Sequence, residues 1–377
     1  MRCGIIAILV IAVTACGGEP EDTPTLSLTE TLGGSSSAGT DGFARASEPR
    51  DFAFPRDHLS HPGFRNEWWY LTGNLDTVDG REFGYQLTFF RIALAPEGAA
   101  PARASAWAAR DVWMAHAAVT DIDGQEHYHS QRLARGAVGL AGASGFPFRL
   151  WLDDWHISGG DPVFPWQISA TTREFGIELD LVPRRDVILQ GNNGLSQKSV
   201  AAGNASYYYS ITRLATSGSI TVGGHSYPVR GLSWLDREWS TSALGSDQTG
   251  WDWFSLQLDS GEDVMYYQLR RKDGAIDPLS RGSWLGDDGD QRPLLPGNVK
   301  LTVLKSWRAP DGTRYPVRWR MELDNPPREW IIAAAVDDQL METVVSYWEG
   351  AVNILEAGTD SRVGRGYLEM TGYRPGH

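Results

Sequence analysis

From Trp251 to Leu258 the chain alternates in character. Trp251, Trp253, Ser255 and Gln257 fall on one face of an extended segment, and Asp252, Phe254, Leu256 and Leu258 fall on the other. Side chains of a strand alternate with a period of two, so this pattern predicts β structure. Asp259, Ser260 and Gly261 supply turn chemistry before a second β-prone run, Val264 to Leu269, and together they predict a hairpin. The pattern also occurs earlier, from Trp68 to Leu87. Placing Trp68 on Trp251 sets Tyr70 on Trp253, Thr72 on Ser255, Asn74 on Gln257 and Asp76 on Asp259. After a turn one residue shorter in the later copy, Tyr85, Gln86 and Leu87 meet Tyr267, Gln268 and Leu269. One self-similarity at a large offset predicts two related halves, each opened by such a hairpin.

Turn signals continue almost to the end. Asp79-Gly80, Asp123-Gly124, Gly159-Gly160, Gly223-Gly224, Asp273-Gly274 and Asp311-Gly312 separate β-prone runs such as VWMAHAAVTDI, GIELDLV and KLTVLKSW. Short strands at this spacing, with no long amphipathic helix pattern, predict an all-β protein of sandwich or barrel type.

The N-terminus follows a different logic. Met1-Arg2 gives a positive start, Ile5 to Val13 an apolar run too short to span a bilayer, and Val13-Thr14-Ala15 a small-residue cleavage site before Cys16. Residues 1–15 read as a lipoprotein signal peptide and Cys16 as the lipidated residue. Its acyl chains hold such a protein on a membrane, because each buried methylene contributes about 0.8 kcal/mol. Gly17 follows, so the aspartate that retains lipoproteins at an inner membrane is missing. The expected location is a bacterial cell envelope, on the periplasmic leaflet of the outer membrane in a diderm host. Residues 16–50, rich in Gly, Ser, Thr and Pro, read as the anchor and a flexible tether. Residues 51–242 and 243–377 remain as the two folded halves. Cys3 leaves with the signal and Cys16 is the anchor, so the folded part offers no disulfide, thiolate nucleophile or cysteine-bound metal. A formal net charge of −13 argues against nucleic acid as a partner and against electrostatic docking on anionic lipid.

HPGFRNEWWYLTGNL, GREFGYQLTFFR, WMAHAAVTD, ASYYYSITRL, GLSWLDREWSTSALGSDQTGWDWFSLQLDSGEDVMYYQLR, YWEGAV and GRGYLEMTGY occur in this order between about Asp51 and Tyr373. Together they resemble the AttH family of secreted proteins, which is related to bacterial carotenoid 1,2-hydratase and, more distantly, to lipocalin-like cyclases that close Diels-Alder rings. The resemblance implies two lipocalin-like antiparallel β-barrels in tandem, in agreement with the duplication. It also implies an ABC transporter as a candidate partner, from the family's gene neighbourhood, and it leaves activity open.

Sixteen tryptophans in an acidic chain invite a reason, since indole presents a broad apolar face and one N–H. Trp68, Trp69, Tyr70, Trp234, Trp239, Trp251 and Trp253, at related positions in both halves, are candidates to line a cavity for an apolar ligand. Tyr85, Trp113, Tyr208, Tyr266 and Trp348 are further candidates; the alternative for each is ordinary core packing. Asp236 and Glu238 share one strand face and Arg237 takes the other. Two carboxyls on an apolar face drive their pKa values apart and keep one protonated. Such an acid protonates an alkene, indole faces stabilise the cation, and water adds. The alternative is that Arg65, Arg91 or Arg237 holds these carboxyls ionised in a structural role. His116 is a candidate polar handle or proton donor and Tyr267 a candidate wall of the reacting site. His127 and His129 flank Tyr128 but make a weak metal pair, and His58 and His61 read as a loop. No G-x-S-x-G, H-E-x-x-H, P-loop or G-x-G-x-x-G after a strand is present, so the sequence predicts no metal and no cofactor. Two readings follow: a lipid-anchored binder of a hydrophobic small molecule that adds water to a C=C bond, or a periplasmic carrier or accessory of a transporter.

Overall fold

The computed structural model describes residues 40–98, 105, 107–242 and 244–374. The signal peptide and Cys16 lie outside these residues. Among the described residues the chain is strand and turn, with two single-turn 3-10 segments, Arg56–His58 and Pro296–Asn298.

All strand pairs are antiparallel, and they form two sheets. The first holds the strands between Asn66 and Ser242, with Asn66–Asp76 at its centre, flanked by Glu82–Ala93 and by the long strand His225–Ser242. It curls until Glu126–Arg135 comes against Arg149–Leu152, which nearly closes a barrel. Arg132 ties the seam through an ion pair with Asp154 and by lying 4.6 Å over the Trp155 ring. The second sheet is centred on Gln248–Leu258, flanked by Asp263–Arg271 and Arg362–Met370. The chain is therefore all-β, as predicted.

The alternation resolves once burial is known. In Asn66–Asp76 the odd positions Trp69, Leu71 and Leu75 enter the first barrel and join Phe83, Phe89 and Trp113 in its core. The even positions Trp68, Tyr70 and Asn74 face the second barrel. Phe254, Leu256 and Leu258 likewise fill the second barrel, leaving Trp251, Trp253 and Gln257 to face the first. Both barrel interiors are packed with side chains, and the barrels meet on outer faces.

That meeting follows a local two-fold pattern. Asn74 Nδ2 donates to the Gly366 carbonyl at 3.2 Å, and Gln257 Nε2 donates to the Ser233 carbonyl at 3.2 Å. Gly73 pairs with Ser233 in one ladder, and Leu256 pairs with Gly366 in the other, so the two amides make the same reach in opposite directions.

Two expectations need correction. The hairpin match fails beyond its turn: Tyr70 pairs with Thr88, whereas Trp253 pairs with Tyr267, so Thr88 and not Tyr85 is the counterpart of Tyr267. A three-residue offset reverses the face, and Tyr85 points into the first barrel, bonded to Ser233 Oγ at 2.6 Å. Nor are residues 40–50 the flexible stretch expected of them. Phe43 and Ala46 are buried, Thr241 donates to the Ala44 carbonyl and Tyr207 to the Glu48 carbonyl, so residues 40–50 pack on the first barrel.

Candidate functional site

Where the outer faces meet, a cavity of about 80 Å³ remains. Trp68, Tyr70, Phe90, Tyr208, Asp236 and Glu238 line it from the first barrel, with Lys198 reaching in from a loop. Trp251, Trp253, Tyr267, Leu269, Tyr347, Glu349 and Glu369 line it from the second, and Leu244 from the connection. The two ladders assign most of these residues to equivalent positions. Trp68 pairs with Phe90 as Trp251 pairs with Leu269. Tyr70 pairs with Asp236 as Trp253 pairs with Glu369. Asp236 pairs in turn with Ser210, and Glu369 with Glu349, so Ser210 and Glu349 are counterparts.

The carboxyls have unlike surroundings. Asp236 accepts from Ser210 and Tyr208 hydroxyls and from Trp234 Nε1 at 2.8 Å. Burial still outweighs these donors and, with Glu238 nearby, pushes its pKa up to about 7. Glu238 accepts from Ser206 and pairs with Lys198 Nζ at 3.2 Å, and the same ammonium lies 3.9 Å over the Tyr267 ring. Burial opposes the charge on Lys198, yet Glu238 holds its pKa above the usual lysine range. Glu349 is 1% exposed, and neither carboxyl oxygen has a hydrogen-bond partner. Burial raises it to about 8; the Tyr70 and Tyr347 hydroxyls lie close enough to moderate the rise without making a well-formed bond. Glu369 keeps some surface toward the cavity, but burial and the neighbouring Glu349 still raise it well above the carboxylate range. No group of His, Cys, Asp and Glu among the described residues is arranged to hold a metal ion.

Of the residues singled out by sequence, Trp68, Tyr70, Tyr208, Asp236, Glu238, Trp251, Trp253 and Tyr267 come together here. Trp234 stands behind the wall, 6.5 Å from Trp253 ring to ring. His116 is also one layer back: its Nδ1 shares a 2.7 Å hydrogen bond with Tyr347, and burial pushes its pKa down to about 3, so it is neutral. Trp69 and Trp113 lie in the first barrel's core, Tyr266 and Trp348 in the second's. Tyr85 is in the first core too, bonded to Ser233. Trp239 stacks on His61 at 3.7 Å, away from the cavity. These six contribute packing because their strand positions face inward or toward a separate cluster. Arg237 and Arg91 bind Glu67, not the cavity carboxyls, and Arg237 lies 3.7 Å over Trp69. His58 closes the Arg56–His58 3-10 segment, buried and bonded to Tyr209 at 2.6 Å, and His61 lies in the loop that follows. His127 bonds Thr120 and His129 accepts from the Glu342 amide.

Lys198, Tyr347, Glu349 and Glu369 were missed as site residues. The available signal was a lone acid inside an apolar strand, in YWEGAV and again in GYLEM. A buried acid is rare enough to mark such positions.

Two packed antiparallel barrels with a carboxyl-bearing aromatic cavity between them define a lipocalin-like double-barrel protein. The chain belongs to the AttH-like family, whose model matches residues 45–373. A crystal structure from Nitrosomonas europaea bearing the AttH name is 35% identical, with a TM-score of 0.79 over 88% of this chain and all (100%) of that one. Kievitone hydratase from Nectria haematococca superposes with a TM-score of 0.63 at 12% identity, over 88% of this chain and 98% of that one. CghA in complex with Sch210972 superposes at 0.53 and 12%, over 92% and 99%. The last two likenesses concern the fold. Comparison with curated proteins finds no match.

Proposed function

We propose that this protein binds the alkene end of a hydrophobic molecule between its barrels and adds water to it, while Cys16 holds the chain at the cell envelope. The observation that carries the reading is Glu349: a buried carboxyl without a well-formed hydrogen bond, raised to about 8, on the wall of an aromatic cavity that also contains Asp236. In the reaction Glu349 gives its proton to one alkene carbon, and the π pair becomes the new C–H bond. The adjacent carbon becomes cationic and is stabilised by indole and phenol faces. A water oxygen then forms the C–O bond, and Asp236, whose three donors favour its ionised form, takes the water's proton. Transfer of that proton from Asp236 back to Glu349 completes the cycle. Asp236 thus moves from candidate acid to base, and Glu238 is set aside because Lys198 occupies it. The kievitone hydratase likeness supports the reading at the level of fold. A cavity of about 80 Å³ suits a branched terminus, not a whole ligand of the size that fills pockets of roughly 300–1,000 Å³.

The test is incubation with isoprenoid alkenes in ¹⁸O-labelled water. The expected product carries one labelled hydroxyl, and Glu349→Gln and Asp236→Asn each slow its formation by about 10²–10⁴-fold with ligand binding retained. A ligand bound and recovered unchanged by the wild type identifies a carrier and removes the hydratase reading.

A further inference from the structure

The cavity holds more carboxyl groups than a neutral ligand needs. Asp236, Glu349 and Glu369 all line it, and no Lys or Arg among the described residues pairs with them; the ammonium of Lys198 is engaged by Glu238. Around them stand Trp68, Trp251, Trp253, Tyr70, Tyr208 and Tyr347. Aromatic faces attract cations through their quadrupole, and grouped aromatic rings recognise quaternary ammonium ligands. Glu349 adds an independent sign of a missing partner, since both of its oxygens are buried and only the Tyr70 and Tyr347 hydroxyls approach them, without a well-formed bond.

We propose that the cavity between the barrels is a receptor for a small organic cation, a protonated tertiary amine or a quaternary ammonium with short alkyl arms. The cation sits among the rings, and a carboxyl of the Glu349–Glu369 pair ionises as it enters, so binding exchanges one proton for one ligand charge. This explains why several acids share a pocket with a single, already paired lysine. An anionic ligand is excluded by the same arrangement. The proposal rests on the cavity being the ligand site and not on water addition; the cationic ligand copies the charge of the hydration intermediate, which makes the two readings compatible but separable.

The experiment is calorimetric titration of the purified full chain near neutral pH with choline and with 3,3-dimethylbutan-1-ol, its neutral carbon isostere. Each titration is run in two buffers of different ionisation enthalpy. Choline is expected to bind at least about ten-fold more tightly than the alcohol, as cation–π contacts in a desolvated site allow, and to release protons. Glu349→Gln is expected to reduce the proton release and the preference for choline over the alcohol together; Glu369→Gln provides the second variant should the first fail to fold. Equal affinity of the two probes, or choline binding without proton release, overturns the proposal even where labelled water is still incorporated into an alkene. Tight choline binding by a protein that hydrates no alkene leaves the cation receptor standing and removes the hydratase.

Discussion

Asp236 and Glu349 show how neighbours assign roles to chemically similar groups. Asp236 receives three hydrogen bonds that favour its anion, and burial still lifts it to about 7. Glu349 receives none of good geometry and rises to about 8. If Asp236 is the base and Glu349 the acid, turnover rises as pH passes about 7, where Asp236 loses its proton, and falls as pH passes about 8, where Glu349 loses its own. The expected kcat profile is a narrow bell between these limbs, whose apparent values belong to the coupled carboxyl cluster as a whole. A rate that is flat from pH 5 to pH 9 removes both assignments. One member of this pairing was legible in the sequence: alternation alone put Asp236 and Glu238 on one face with Arg237 opposite. Glu349 and Glu369 were not legible as partners, because nothing local to YWEGAV or GYLEM says that these strands pair with each other.

At the scale of elements, pattern specifies faces and leaves register open. Trp68 with Tyr70 and Trp251 with Trp253 were correctly grouped, since a period of two survives any register. The Tyr85–Tyr267 match failed because register depends on ladder and turn geometry, and an odd offset turns a side chain through the sheet. Close strand contact across the barrels supplies another test. A Cβ on Gly84 would lie 2.7 Å from Ala351 Cβ and 3.3 Å from the Tyr367 hydroxyl. Gly84→Val is therefore expected to wedge Glu82–Ala93 away from Tyr347–Glu356 and to destabilise the protein by about 1–3 kcal/mol, the usual range for overpacking. Denaturant titration reads this, and an unchanged midpoint would mean that the barrels do not press together there.

For the molecule as a whole, the junction is wide and charged at its margins. Asp263, 1% exposed, takes Arg213 at 2.9 Å and Arg185 at 3.5 Å, while Arg365 reaches Asp76 at 2.6 Å and Arg362 reaches Glu82 at 2.7 Å. Separating the barrels leaves Asp263 without Arg213 and Arg185; breaking such a buried pair costs about 3–5 kcal/mol. Cutting the chain after Ser242 and expressing both pieces together is expected to yield a 1:1 complex, with either piece alone insoluble or self-associated. Two soluble, monomeric halves on a sizing column would contradict a shared junction. The reciprocal amides of Asn74 and Gln257 give the junction a local two-fold character, the same reach made once in each direction as in an isologous interface. At one pair of equivalent positions the halves differ: Ser210 donates to Asp236, while Glu349 stands on the cavity wall. A symmetric dimer of one sequence must carry the same residue at both positions, whereas a single chain lets one be a hydroxyl and the other an acid.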